Sequence, residues 1–201
     1  MKKFELTAES KINIFGKKLF RIKALISFGS VKEGETGGWV EKEENLNQSG
    51  NAWVSGNAWV SGDAWVSGNA EVSGNARVSG DAWVSGNARV SGNAWVSGDA
   101  RVSGNAEVSG NARVSGNAWV SGDARVSGNA DYTTIHGFGT QFRTTTFFRC
   151  KDKHIRVSCG CFFGTISEFR EQVKNTRNGK IAEEYLMIAD LMEKHFSEEA
   201  K

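Results

Sequence analysis

Tryptophan and arginine side chains recur at multiples of six residues through the middle of the chain. Tryptophan offers a flat ring that stacks on planar ligands and anchors interfaces, and arginine binds phosphate and carboxylate groups. A regular row of both types therefore indicates an interface or a ligand surface. The candidate binding residues are Trp59, Trp65, Arg77, Trp83, Trp95, Arg101, Arg113 and Trp119.

Groups that could carry catalysis are scarce and lie outside this row. General-base catalysis near neutral pH usually relies on histidine, because the pKa of its ring lies close to that pH. The three histidines, His136, His154 and His195, all follow the repeated region and stand far apart in the sequence. We assign them surface or packing roles. The predicted set of catalytic residues is therefore empty, and no cofactor is expected.

Three cysteines near the C-terminus supply the ligand types of a zinc site. Cys150, Cys159 and Cys161, together with His154, would make a Cys₃His set. Their spacing is irregular, however, and Cys-x-Cys on a strand lacks the usual zinc knuckle. Thiols that pack as small apolar side chains are the preferred interpretation, so we predict no metal. Three cysteines also fit a reducing compartment better than a disulfide framework.

A six-residue repeat positions the tryptophan and arginine side chains. Residues 51–128 are thirteen uninterrupted copies of Asn/Asp-Ala-x-Val-Ser-Gly, and such a short fixed period is the signature of a solenoid. Ala and Val are two apart, so on a strand both point inward while x points outward. Ser-Gly-Asn/Asp is turn chemistry. Each hexad thus predicts a three-residue strand and a corner around a narrow interior.

Eighteen residues, or three hexads, are predicted to form one coil. Asp replaces Asn at 63, 81 and 99, and outward residue types repeat with the same spacing. Stacked coils would then form a triangular prism with strands about 4.8 Å apart. The Asp column would bring like charges together, so we expect these corners to bond local backbone, with a bound cation as the alternative. Asp123 falls outside the spacing. At the eighteen-residue spacing, the outward residues are expected to stack in three rows. These rows are Glu71, Arg89, Glu107 and Arg125; Trp59, Arg77, Trp95 and Arg113; and Trp65, Trp83, Arg101 and Trp119.

Read as Val-Ser-Gly-Asn-Ala-x, the unit resembles the hexapeptide repeat. That resemblance implies a left-handed parallel β-helix with three hexads per coil. Residues 18–130 also resemble uncharacterised repeat proteins of enteric bacteria, phages and prophages that are often labelled acetyltransferases. In acyltransferases of this fold, a histidine on a coil or loop acts as base, and the acyl carrier lies between coils of a trimer. No histidine or inserted loop interrupts the coils here, so we expect no such activity.

The flanking segments predict two caps. Residues 11–15 and 19–25 alternate in polarity around Gly16-Lys17-Lys18, which indicates a β-hairpin in an N-terminal cap, residues 1–38. Val40 and Leu46 are six apart, so the β-helix is expected to span residues 39–130. Residues 131–201 predict a ββαα cap with a hairpin from 142–150 and 154–159. Thr165-Ile-Ser-Glu168 marks a helix start, and residues 181–196 form a second helix.

Composition limits the classes of partner. The net charge is +2, and no apolar run is long enough to span a bilayer. Within the repeat, five Arg are outnumbered by six acidic residues. We therefore expect a protein of the bacterial cytoplasm without a membrane or nucleic-acid partner. Six outward Trp predict a homo-oligomer, a dimer or trimer, with a small ligand or host protein as a further partner. The predicted function is a non-enzymatic scaffold or binding module. The alternatives are an acyltransferase-like enzyme and a phage protein that sequesters a small host ligand such as a nucleotide.

Overall fold

The computed structural model describes residues 2–197, and its centre is a β-solenoid of about five coils. Each hexad contributes a two-residue strand, one residue shorter than expected, followed by a turn. The thirteen strands, β4–β16, are Trp53–Val54, Trp59–Val60, Trp65–Val66, Glu71–Val72, Arg77–Val78, Trp83–Val84, Arg89–Val90, Trp95–Val96, Arg101–Val102, Glu107–Val108, Arg113–Val114, Trp119–Val120 and Arg125–Val126.

Each strand pairs in parallel with the strand eighteen residues away, which confirms the predicted coil. Backbone bonds follow the same step: the Arg77 amide donates to the Ala94 carbonyl at 2.9 Å. Three parallel ladders result, and we name them by their outward residues. The charged face carries Trp53, Glu71, Arg89, Glu107 and Arg125; the hairpin face carries Trp39, Trp59, Arg77, Trp95 and Arg113; the tryptophan face carries Trp65, Trp83, Arg101 and Trp119.

The interior is filled by the Ala and Val of every hexad. From Val66 to Val126 all of these side chains are completely buried. The corners close because every Gly from Gly50 to Gly122 has a positive φ, which only glycine adopts without strain. Small inward side chains and tight corners together explain why the coil can be so narrow.

Asparagine ladders line two of the three corners. Asn69 Nδ2 donates to Asn87 Oδ1 at 3.0 Å, and Asn87 donates in turn to Asn105. These side chains therefore bond the next coil rather than the local backbone. Asp123 accepts from Asn105 at 3.1 Å at the end of one ladder. A carboxylate is compatible with that last place because it only accepts, and the other ladder ends on Asn111 in the same role.

The predicted N-terminal hairpin is confirmed, although its first strand starts earlier than expected. It comprises β1 (Phe4–Ile12) and β2 (Lys18–Ala24), and β2 pairs with β3 (Thr36–Val40) at the start of the hairpin face. The backbone amides of Trp39 and Glu41 donate hydrogen bonds to the Ala58 and Val60 carbonyls, the first carbonyls of that face. On the other two faces, side chains donate to the first carbonyls. Lys3 Nζ donates to the Ala52 carbonyl at 2.9 Å, and Asn45 Nδ2 donates to the Ala64 carbonyl at 2.8 Å.

The C-terminal segment has four strands and two helices, so the predicted ββαα arrangement was incomplete. The predicted hairpin corresponds to β18 (Arg143–Arg149) and β19 (Ile155–Cys159). We missed the flanking strands β17 (Tyr132–Phe138) and β20 (Phe162–Thr165). The latter follows a two-residue turn at Gly160, whose φ is +60°. Our predicted hairpin ended at residue 159 and therefore left out this strand.

The two helices are α1 (Ile166–Thr176) and α2 (Gly179–Phe196). The predicted capping box is confirmed, because the Glu168 amide donates to Thr165 Oγ1 at 3.1 Å. Phe147 and Phe169 form the centre of a second apolar core between the helices and the sheet. Neither helix in residues 2–197 combines the length and the hydropathy needed to cross a membrane. Met1 and residues 198–201, which the predicted caps include, lie outside the described residues.

Candidate binding surface and cap cleft

The structure divides the eight predicted binding residues between two faces. Trp59, Arg77, Trp95 and Arg113 lie on the hairpin face, and the other four lie on the tryptophan face. Their accessibility differs sharply because the N-terminal hairpin covers only one of these faces. The two groups therefore have to be considered separately.

The expectation that the Trp59 ring is exposed to solvent was wrong. Its side chain is 6 % exposed and packs with Leu19 and Trp39. Phe15, in the hairpin loop, lies 6.0 Å from Trp59 and 5.7 Å from Trp95 between ring centroids. The loop therefore reaches two coils along the face and leaves Trp95 half-buried. Burial of aromatic surface explains this arrangement, since large rings contribute much of the apolar area that folding removes from water.

The tryptophan face keeps its aromatic row in contact with solvent. Trp65, Trp83 and Trp119 are each 38–39 % exposed. Trp65 and Trp83 stack on each other with centroids 5.2 Å apart, and the Arg101 guanidinium lies 5.8 Å from the Trp83 ring. Ring nitrogens are also fixed: Trp83 Nε1 donates to Ser67 Oγ of the preceding coil at 3.4 Å. The face is therefore an ordered, partly apolar surface.

The two edges of this face differ in charge. One edge is the column of Asp63, Asp81 and Asp99, each two residues before an outward residue of the face. Lys42 Nζ lies 2.6 Å from Asp63 Oδ1, and this hydrogen bond lowers the pKa of Asp63. Among residues 2–197, no cation forms an ion pair with Asp81 or Asp99. The opposite edge is the uncharged ladder of Asn69, Asn87 and Asn105.

A cleft of about 340 Å³ separates the last coil of the tryptophan face from the cap sheet. Arg101 and Trp119 line it from the solenoid, with Asp99 beside them. Several residues that we did not predict as site residues line the cap side, namely His136, Phe142, Arg143 and Thr144. Sequence reasoning missed them because they lie outside the repeat. The available signal was Phe142, an aromatic residue in a polar turn.

In residues 2–197, the cysteines and histidines do not come together as the predicted Cys₃His alternative would require. Cys150 is buried beside Ala124, and burial raises the pKa of its thiol to about 11. Cys159 and Cys161 lie at the other end of the sheet from Cys150 and His154. No group of three metal-binding side chains occurs in the described part of the chain. His154 forms a contact of 3.4 Å with Asp152 at the surface.

Comparison with protein families gives a match to the repeated region. The model of the YdcK Beta solenoid repeat family matches residues 70–86, 82–98 and 106–122. These segments lie within the ladders of the three faces, so the match concerns the repeat and not the caps. Comparison with curated protein sequences gives no match. The matched repeat and the three parallel ladders together identify the chain as a β-solenoid repeat protein.

Proposed function

We propose that this chain is a non-enzymatic scaffold that self-associates through the tryptophan face, with a second copy of the chain as the occupant. The observation that supports the proposal is the exposure of Trp65 and Trp83, which stack on each other on this face. Monomeric proteins rarely leave such aromatic rows in solvent, and tryptophan and arginine are the residues most enriched at interface hot spots. The other two faces expose less aromatic surface for association, because one is covered by the hairpin and the other carries charged side chains.

The charges at the edges favour one arrangement of two copies. A two-fold axis perpendicular to the solenoid axis, in the plane of contact, would place the aspartate column against itself. An axis parallel to the solenoid would instead place Asp81 of one copy opposite the asparagine ladder of the other. Each ladder Asn uses one amide hydrogen for the next coil, so the other can be donated to a carboxylate. We therefore propose a parallel, isologous dimer.

The contact is centred on the stacked pair Trp65 and Trp83. Trp65→Ala/Trp83→Ala is the variant to test, because both rings are partly exposed and the strands beneath them are held by backbone bonds. Loss of a hot-spot tryptophan costs about 2 kcal/mol or more, so the dimer should weaken at least roughly tenfold for each. Sedimentation velocity should show a dimer of the 21.9 kDa chain for the native protein and a monomer for the variant.

The control makes the same kind of truncation on the charged face. Arg89→Ala/Glu107→Ala should retain the dimer, and circular dichroism should show that both double variants are folded. A native protein that stays monomeric at high concentration would overturn the proposal. A Trp65→Ala/Trp83→Ala variant that remains dimeric would also do so. A trimer would contradict the two-fold arrangement.

A further inference from the structure

The cleft between the last coil and the cap sheet combines charge and exposed aromatic surface. Its volume of about 340 Å³ lies within the range of small-molecule sites, roughly 300–1,000 Å³. Its walls come from two units that are distant in sequence, the solenoid and the antiparallel sheet. From its chemistry we infer that this cleft binds a nucleoside monophosphate.

Two guanidinium groups supply the site for the phosphate. Arg101 reaches the cleft from the solenoid, and Arg143 reaches it from the start of β18. Neither forms an ion pair with a carboxylate in residues 2–197. Arginine binds phosphate through two parallel N–H donors, and two unpaired arginines in one cleft favour an anion. The Thr144 hydroxyl, 3.3 Å from His136 Nδ1, adds a further polar group at the same wall.

Two aromatic side chains supply the site for the base. Trp119 is 39 % exposed and Phe142 is 64 % exposed, and both line the cleft. Phe142 has a φ of +47°, in the left-handed region that a bulky residue adopts only at a cost. Such strain is concentrated at functional sites. Stacking of a base on an aromatic ring strengthens binding by roughly fivefold to a hundredfold.

Asp99 distinguishes a nucleotide from a free anion. Its carboxylate would repel phosphate placed beside it, but it can accept hydrogen bonds from ribose hydroxyls or from an amino group of the base. A ligand that carries its charge at one end and its hydroxyls and ring at the other matches the cleft. Inorganic phosphate alone satisfies only the arginines.

Isothermal titration calorimetry with AMP, GMP, CMP and UMP tests the inference. At least one should bind, and its parent nucleoside and inorganic phosphate should each bind at least roughly tenfold more weakly. Arg143→Met should weaken binding of the monophosphate by a similar factor and remove its advantage over the nucleoside. Trp119→Leu should weaken monophosphate and nucleoside alike, since both stack the same base.

Two control variants keep the test specific. Arg125→Met removes an exposed arginine from the charged face and should bind the monophosphate as the native chain does. The Trp65→Ala/Trp83→Ala variant should also retain binding, so a failure of self-association and a failure of ligand binding can be told apart. Circular dichroism checks that each variant is folded. The inference is overturned by absence of binding for all four monophosphates, by equally tight binding of nucleoside or phosphate, or by native affinity in Arg143→Met and Trp119→Leu.

Discussion

At the scale of the residue, single side chains donate hydrogen bonds to the carbonyls at the open end of the solenoid. Each coil offers its carbonyls to amides of the coil before it, and the first coil has no complete predecessor. Lys3 fills one of these places from a site that is only 2 % exposed, with its ammonium 4.8 Å from the Phe28 ring. Burial lowers the pKa of this ammonium to about 8. The residue that closes the solenoid is thus also sensitive to pH.

Stability should therefore rise with pH over a defined window. Between about pH 8 and the ordinary lysine pKa of 10.5, the unfolded chain binds a proton at Lys3 that the folded chain has released. The unfolded state holds more protons there, so the free energy of unfolding increases with pH. Lys3→Met removes this contribution and also leaves the Ala52 carbonyl without its donor, a loss of about 1–3 kcal/mol.

Thermal unfolding followed by circular dichroism from pH 7 to above pH 10 measures the effect. The difference in Tm between the native chain and Lys3→Met should widen above about pH 8. Other titrating groups are common to both proteins and cancel in the difference. Parallel curves over the whole range would show that Lys3 is not linked to folding.

Adjacent residues on one strand should respond very differently to a new carboxylate. Val90 is completely buried, whereas the Arg89 side chain is 63 % exposed and lies 3.5 Å from Glu71. Val90→Asp buries a charge with no partner and should cost about 4 kcal/mol or more. Arg89→Glu loses one exposed ion pair and should cost no more than about 1 kcal/mol. Urea unfolding gives both values, and similar losses would contradict the assignment of inward and outward positions.

At the scale of the element, the corner limits which residues a hexad accepts. Gly86 has a φ of +68°, and a Cβ placed on it would lie 2.9 Å from the Gly104 amide nitrogen of the next coil. Glycine is thus required for two separate reasons, conformation and close approach. One turn cannot change its backbone conformation without moving its neighbour, because each corner stacks on the corner of the next coil.

Three alanine substitutions separate these two reasons. Gly128→Ala should be nearly neutral, since its φ is −146° and nothing lies within 4 Å of the added carbon. Gly116→Ala meets no atom within 4 Å but has a φ of +63°, so it should cost about 1–2 kcal/mol. Gly86→Ala adds the clash, which should raise the loss by a further 1–3 kcal/mol or so. Chemical denaturation should give this order, and equal losses for Gly86 and Gly116 would exclude the close-approach contribution.

At the scale of the whole molecule, the periodic part could be predicted from the sequence and the non-periodic contacts could not. The eighteen-residue spacing assigned Glu71 and Arg89 to one face because every hexad has the same environment. Nothing in that period indicates that Phe15 folds back over Trp59. That contact depends on the path of a loop whose own sequence is only locally informative. The cleft escaped prediction for the same reason, since Arg143 meets Trp119 only through the docking of the cap sheet.

The equivalence of the coils has a consequence for how the gene can change in length. A duplication or loss of eighteen codons adds or removes one whole coil and returns the C-terminal cap to the same face. A change of six codons instead turns the cap by a third of a revolution, and the aromatic and basic residues of β17 and β18 would then meet a different row of outward side chains. Gain or loss of three hexads therefore preserves the cleft, whereas gain or loss of one hexad creates a different contact between the same cap and the solenoid.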